Sequence, residues 1–197
     1  MTLTIDAIFE AFERHGALNY GERVTQLEHM LQSAELAIAD GASDALVAAA
    51  LLHDIGHFEV PEPEDAENLQ ADMAHEVVAA RSLATLFGPD VWRPVALHVA
   101  AKRYLCATED GYEAGLSPAS LGSLKVQGGA FTREQADRFE RLPYAQDAIR
   151  LRRYDDGAKR AGWTSPPLST YRSMLEGLRV QDQDGLADAI SLTNGDF

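Results

Sequence analysis

Apolar residues recur at helical spacing along most of this chain, and no convincing strand alternation or internal repeat is present. Leu3 to Arg14 predicts a short helix with Ile8, Phe9 and Phe12 inward, followed by a loop from His15 to Val24 that contains Gly16 and Gly21. Thr25-Gln26-Leu27-Glu28 reads as a capping box, after which Leu27, Met30, Leu31, Ala34 and Ile38 keep helical spacing until Gly41. Ser43 can cap the next helix. Its body, Ala45 to Leu52, is apolar all round, which predicts burial on most sides before an end around Asp54 to Gly56.

The segment from Phe58 to Leu69 is rich in proline and acid and reads as a surface loop. Helices are then expected over Ala71 to Phe87 and Asp90 to Cys106, separated by Gly88-Pro89. Thr108 to Gly115 reads as polar loop. Ser117-Pro118 opens a short helix to Gly128-Gly129, and Thr132-x-x-Gln135 opens another that stops before Pro143. A long helix is expected over Pro143 to Gly162, and a last one after Pro166-Pro167 to about Val180. The expected fold is all-α, one helical domain over 1–180, with 181–197 a polar, weakly ordered tail.

Length and charge narrow the partners. At 197 residues the chain suits one domain with a sizeable core. Its net charge of -14 repels phosphate backbones, which argues against nucleic acid and requires locally placed cations for any small anionic substrate. The single cysteine, Cys106, excludes an internal disulfide or a thiolate-rich zinc site and fits a reducing compartment. With no signal-like start and no long apolar run, the expected location is the cytoplasm, away from membranes.

Histidines supply the candidate chemistry. His29, His53, His75 and His98 lie 24, 22 and 23 residues apart, about one helix plus one turn each, so successive helices can return a ligand to one point. Imidazole with carboxylate is a ligand set for zinc, iron or manganese, and Asp54, beside His53, is placed to bridge two ions. His57 follows one turn after His53. A closing acidic ligand is expected later, where Arg152, Asp155 and Lys159 share one helical face, a pattern that a solvated salt-bridged stripe also explains. Lys102 projects one turn beyond His98, and beside a metal it could hold an anion. Ser120, Ser123 and Gln127 share a face near a helix start, a weak anion signal that capping also explains.

His29, the His53-Asp54 pair and Asp155 resemble the H…HD…D signature of the HD-domain superfamily, with His75 and His98 resembling the two extra ligands of its two-metal members. The strings Tyr20-Gly21-Glu22, Gln26-Leu27-Glu28-His29, Leu51-Leu52-His53-Asp54-Ile55-Gly56-His57, His98-Val99-Ala100-Ala101-Lys102-Arg103-Tyr104, Leu116-Ser117-x-x-Ser120 and Gln127-Gly128-Gly129 are similar to the PhnZ and TmpB type of HD-domain oxygenase, from about Asn19 to Tyr171. The resemblance implies an HD-domain bundle around two iron ions of mixed valence, with dioxygen as co-substrate. One iron would take His29, His53, Asp54 and Asp155, the other Asp54, His75 and His98. Tyr20 and Glu22 would position substrate or gate the open iron, with one residue fewer between them than in the aminophosphonate type. Lys102, Ser120, Ser123 and Arg152 would bind phosphonate, and His57 would stand near the oxygen site.

A carbon-phosphorus bond offers no good leaving group for hydrolysis, so the resemblance implies oxidation at C1 of a small 1-hydroxyphosphonate before the bond breaks. The expected substrate is 1-hydroxy-2-(trimethylammonio)ethylphosphonate, giving glycine betaine and phosphate, with 2-amino-1-hydroxyethylphosphonate, giving glycine, as a close variant. The trimethylammonium choice rests on the shortened loop at Tyr20 and on Tyr20, Phe58 and Tyr104 as cation-π partners. Glu22 could face the amine. The same ligands also suit a metal-dependent phosphohydrolase acting on a nucleotide or phosphomonoester, and a regulatory HD module is a third reading that would require ligands to be lost.

Overall fold

Hydroxyl side chains start five of the nine α-helices among the described residues. A computed structural model describes residues 3–19, 23–58 and 75–180 of the chain. The Thr4 hydroxyl accepts from the Ala7 amide and opens α1 (Ile5–His15), and the Thr25–Glu28 capping box opens α2 (Gln26–Ala39). Ser43 opens α3 (Asp44–Leu52), Ser117 opens α6 (Pro118–Val126), and Thr132, in a second capping box with Gln135, opens α7 (Arg133–Phe139). Between them lie α4 (His75–Leu83) and α5 (Pro89–Thr108), and α8 (Ala145–Gly157) and α9 (Arg172–Gly177) follow. Each cap satisfies an amide that the helix itself leaves without a partner, so capping fixes where the register begins.

Helix α3 is the axis of the molecule. Every residue from Ala45 to Leu52 is buried, as its all-round apolar sequence predicts, and α2, α5 and α8 pack around it. The core on this axis joins Ile8 and Phe12 of α1, Met30 of α2, Leu83 of α4, Trp92 of α5 and Leu151 of α8. A smaller apolar cluster, including Leu97, Phe131, Phe139 and Ala148, seats α7 against α5 and α8. The all-α expectation holds: the sole β pairing among the described residues is an isolated bridge between Phe87 and Arg179. No helix among them is long and apolar enough to cross a membrane.

Three elements depart from the sequence reading, and two of them end early where the backbone is committed elsewhere. Helix α4 ends at Leu83 rather than Phe87, because Leu86 gives its carbonyl to the Val180 amide and Phe87 pairs with Arg179. Helix α8 covers Ala145–Gly157, not 143–162. Tyr144 sits in the left-handed region at φ 65 and delays the start, and beyond Gly157 the backbone is committed to α2, with Ala158 O on His29 and Arg160 on Gln32. The last expected helix is divided into a 3₁₀ turn, Leu168–Tyr171, and α9. The expected acidic surface loop falls largely, and the C-terminal tail wholly, outside the described residues.

Candidate metal centre and anion pocket

Burial of α3 carries the chemistry inward. His53 caps the C-terminal end of this helix and is fully buried, with Asp54 next to it. The capping box sets the register of α2 and so puts His29 one turn inside it. Gly56 follows Asp54 in a 3₁₀ turn, and a Cβ there would stand 2.1 Å from the His75 carbonyl. Only glycine allows the start of α4, and hence His75, to approach so closely. His98 comes from the middle of α5 and Asp155 from the end of α8, both buried.

The imidazoles meet in two pairs. His29 Nε2 lies 3.2 Å from His53 Nε2, and His75 Nε2 lies 3.3 Å from His98 Nε2. Asp54 stands between the pairs. Its Oδ2 is 3.6 Å from His29 Nε2 and 3.5 Å from His53 Nε2; its Oδ1 is 3.6 Å from His75 Nε2 and 3.8 Å from His98 Nε2. Asp155 Oδ1 closes the first pair, 3.4 Å from His29 Nε2. His57 stacks on His75 at 4.1 Å between ring centroids, with Nε2 3.9 Å from Asp54 Oδ1.

Backbone carbonyls assign the tautomers. Nδ1 of His29, His53 and His98 lies 2.9, 2.9 and 2.7 Å from the carbonyls of Ala158, Ala50 and Val95. A carbonyl only accepts, so each Nδ1 carries the hydrogen and each Nε2 presents a lone pair. Two lone pairs 3.2 Å apart in a buried site repel unless a cation lies between them. Nitrogen and carboxylate oxygen in two groups, His29-His53-Asp54 and Asp54-His75-His98, with the donor atoms of each group within 4.8 Å of one another, therefore fit two metal ions sharing Asp54.

The electrostatics agree. Burial opposes charge on Asp54, but His53, His57, His75 and His29 outweigh it and hold the carboxyl far below its ordinary range. On Asp155, burial is likewise outweighed, by Arg152, Lys159 and His29. Burial, with its imidazole neighbours, pushes His98 well down, and burial lowers His53 despite the two carboxylates. His29 is pushed up, since Asp155 and Asp54 overcome its burial. Ionised carboxylates beside lowered His53 and His98 suit metal binding, and on His29 a bound cation would take the place of the proton that the two carboxylates favour.

Beside this centre lies a cluster of buried cations and hydroxyls. Lys102 and Arg152 are both buried, which is costly for cations unless anions or hydroxyls meet them. Lys102 Nζ donates to Ser123 Oγ at 2.7 Å, and Ser123 Oγ donates to the Ser120 carbonyl. Arg152 NH2 and Lys159 Nζ both donate to Ser120 Oγ, at 3.2 and 3.1 Å. Because that oxygen accepts twice, its own hydrogen is left to donate to an anion. Gln127 caps the end of α6, and its side-chain oxygen is buried with no hydrogen-bond partner among the described residues. Arg152 NH1 pairs with Asp155 Oδ2 at 2.7 Å, so an ion pair ties this cluster to the metal centre.

The structure thus brings together His29, His53, Asp54, His75, His98 and Asp155, with His57 beside them and Lys102, Ser120, Ser123 and Arg152 adjoining. Tyr20 and Glu22 lie outside the described residues. Sequence reasoning missed three participants. Gln32, one turn after His29, bonds the Arg160 backbone through both ends of its amide, a contact across 128 residues that leaves no local signal. Tyr112, in the stretch read as polar loop, reaches Arg152 and Asp156. Asp156 could have been found, since it lies four residues after Arg152 on α8.

An HD-domain family model matches residues 27–154. Over 173 residues, 87% of this chain and 86% of the relative, the chain is 45% identical to a hydroxymethylphosphonate dioxygenase of Gimesia maris. It is 39% identical to the glycine-betaine-forming [1-hydroxy-2-(trimethylamino)ethyl]phosphonate dioxygenase of Leisingera caerulea, covering 87% of this chain and 88% of that one. A mimivirus protein, L432, is 34% identical over 87% of this chain and 80% of its own length. The histidine-aspartate cluster, the helical bundle and these relatives agree, and the chain belongs to the HD-domain family, within the oxygenase type that these phosphonate dioxygenases represent.

Proposed function

We propose that this protein is a di-iron oxygenase that uses dioxygen to cleave the carbon-phosphorus bond of a small 1-hydroxyphosphonate. The observation that carries the reading is the junction at Asp155, where a two-metal donor set adjoins a cluster of buried cations. His29, His53, Asp54 and Asp155 would hold one iron, and Asp54, His75 and His98 the other. A mixed-valence pair supplies, when bound, the redox chemistry that lets dioxygen oxidise C1. The chain's part is to hold and orient. Lys102, Arg152 and the Ser120 hydroxyl bind the phosphonate oxygens and set C1 toward the centre, joined by Ser123 once its hydroxyl turns from the Ser120 carbonyl, at a place whose local charge opposes the overall -14. Burial of both cations keeps water from competing. His57 sits against His75 and Asp54, where it can guide a proton.

Two substrates follow from the relatives. The higher identity, 45%, favours hydroxymethylphosphonate, converted with one dioxygen to formate and phosphate. The trimethylammonio substrate, yielding glycine betaine and phosphate, is supported by the 39% relative. Two of the aromatics expected around its ammonium have packing roles here: Phe58 stacks on His15 and meets Phe12 edge-on, and Tyr104 leans on Phe139.

The test is oxygen uptake and phosphate release by iron-loaded protein with hydroxymethylphosphonate, 2-amino-1-hydroxyethylphosphonate and its trimethylammonio analogue. One oxygen consumed per phosphate released, with the smallest substrate preferred, is the expected result. Phosphate release without oxygen, from a phosphomonoester or nucleotide, would replace the reading with a hydrolase.

A further inference from the structure

Four side chains surround the Arg152 guanidinium. Nε donates to the Tyr112 hydroxyl at 3.2 Å, NH2 donates to Ser120 Oγ and to the Asp156 carboxylate, and NH1 pairs with Asp155. Tyr112 in turn donates its own hydroxyl hydrogen to the other oxygen of Asp156. Arg152, Tyr112 and Asp156 thus form a closed ring of hydrogen bonds. The ring joins the segment after α5 to α8 through Nε and one NH2 hydrogen, and the second NH2 hydrogen goes to Ser120. Arginine presents its five donors in a rigid plane, so fixing one edge of that plane fixes the other.

We infer that Tyr112 and Asp156 are positioning residues for anion binding, holding Arg152 so that its second NH2 hydrogen meets Ser120. Neither needs to touch the substrate. The role of Asp156 is informative because charge and geometry pull in opposite directions there. As a negative group near an anion site, Asp156 weakens anion binding by its charge; as the anchor of Arg152, it strengthens binding by its geometry. The bonds to a buried guanidinium are charge-assisted and directional, whereas the repulsion reaches the anion past an intervening cation. Positioning therefore dominates.

The inference deepens the function proposed above and rests on it for the identity of the anion, but it can be read without turnover. Binding of inorganic phosphate and of hydroxymethylphosphonate to metal-loaded protein is measured by calorimetry in the wild type, Tyr112→Phe and Asp156→Asn, alongside steady-state oxygen uptake and metal content. Each variant should weaken phosphate binding by about fivefold, the loss of roughly one hydrogen bond. KM should rise in parallel, with kcat and metal content near wild type. Tighter phosphate binding by Asp156→Asn would overturn the inference, since charge would then outweigh positioning. It would also be overturned if the variants bound phosphate as the wild type does, if affinity fell only together with metal content, or if wild-type protein bound neither anion. Phosphate binding that responds as expected in a protein that consumes no oxygen would leave the positioning role standing and remove the oxygenase reading alone.

Discussion

Gln32 offers a sharp test of how the fold holds the first pair of ligands. Its side chain is 1% exposed, and its amide donates to the Arg160 carbonyl at 3.1 Å and accepts from the Arg160 amide at 3.0 Å. Two residues earlier, the Ala158 carbonyl holds Nδ1 of His29. Gln32→Met keeps the volume and removes both bonds. Arg160 is exposed, so water can replace the lost partners on its backbone. The cost is therefore about 1 kcal/mol for each bond, ~2 kcal/mol together. Without metal the freed segment relaxes, and metal binding must order it again, so most of this loss appears as weaker binding. An upper limit is roughly 30-fold, within the range of about 10- to 100-fold found when groups behind a metal ligand are removed. Chelator competition with Zn²⁺ or Fe²⁺ measures the affinity. The downfield Nδ1 hydrogen of His29 reports the bond to Ala158. A variant whose thermal stability falls by the expected amount while metal affinity stays unchanged would refute the link between Gln32 and His29.

Three further outcomes follow from the geometry. Gly56→Ala places a Cβ 2.1 Å from the His75 carbonyl and should push the start of α4 away; a cost of about 1–3 kcal/mol in stability is expected, with one metal lost more readily than the other on titration with chelator, and even loss of both would contradict it. Lys102→Ala should raise KM by roughly 10- to 100-fold through loss of a charged hydrogen-bond donor, while elemental analysis finds metal content intact; loss of metal would mean that Lys102 supports the centre rather than anion binding. The Tyr154 hydroxyl donates to Asp40 Oδ2 at 2.5 Å, and its pKa is pushed up to about 12 by burial and by that bond. A raised folded value means the contribution is complete below pH ~10 and fades as pH rises toward 12. Asp40 is lowered by its bonds to Tyr154 and Arg150, so its contribution is complete above the ordinary aspartate range and is lost as acid protonates it. Stability curves of wild type and Tyr154→Phe should accordingly differ most at neutral pH and converge toward both extremes, and a constant gap would contradict the assignment.

Much of the fold could be read from the chain because its signals are local. The hydroxyl caps at Thr25, Ser43, Ser117 and Thr132 set helix starts wherever they occur, and the apolar body of α3 announced its own burial. Helix ends were less legible. The ends of α4 and α8 depend on where distant segments take the backbone: Val180 on Leu86, His29 on Ala158. The histidines stood out in the sequence because a helix-plus-turn spacing recurs, whereas Tyr112 and Gln32 act across 40 and 128 residues and carry no pattern of their own. Lys159 was expected on one helical face with Arg152 and Asp155, but α8 ends at Gly157, and Lys159 reaches Asp155 and Ser120 from the segment beyond it.

The proposed chemistry turns on one carboxylate, Asp54, shared by two metal ions between facing imidazole pairs. Elemental analysis of metal per chain, in wild type and in Asp54→Ala, tests it most directly. Two ions per chain in the wild type, with the pair and all turnover lost in the variant, is the predicted result. Two ions retained without the Asp54 carboxylate would rule out its role as the shared ligand.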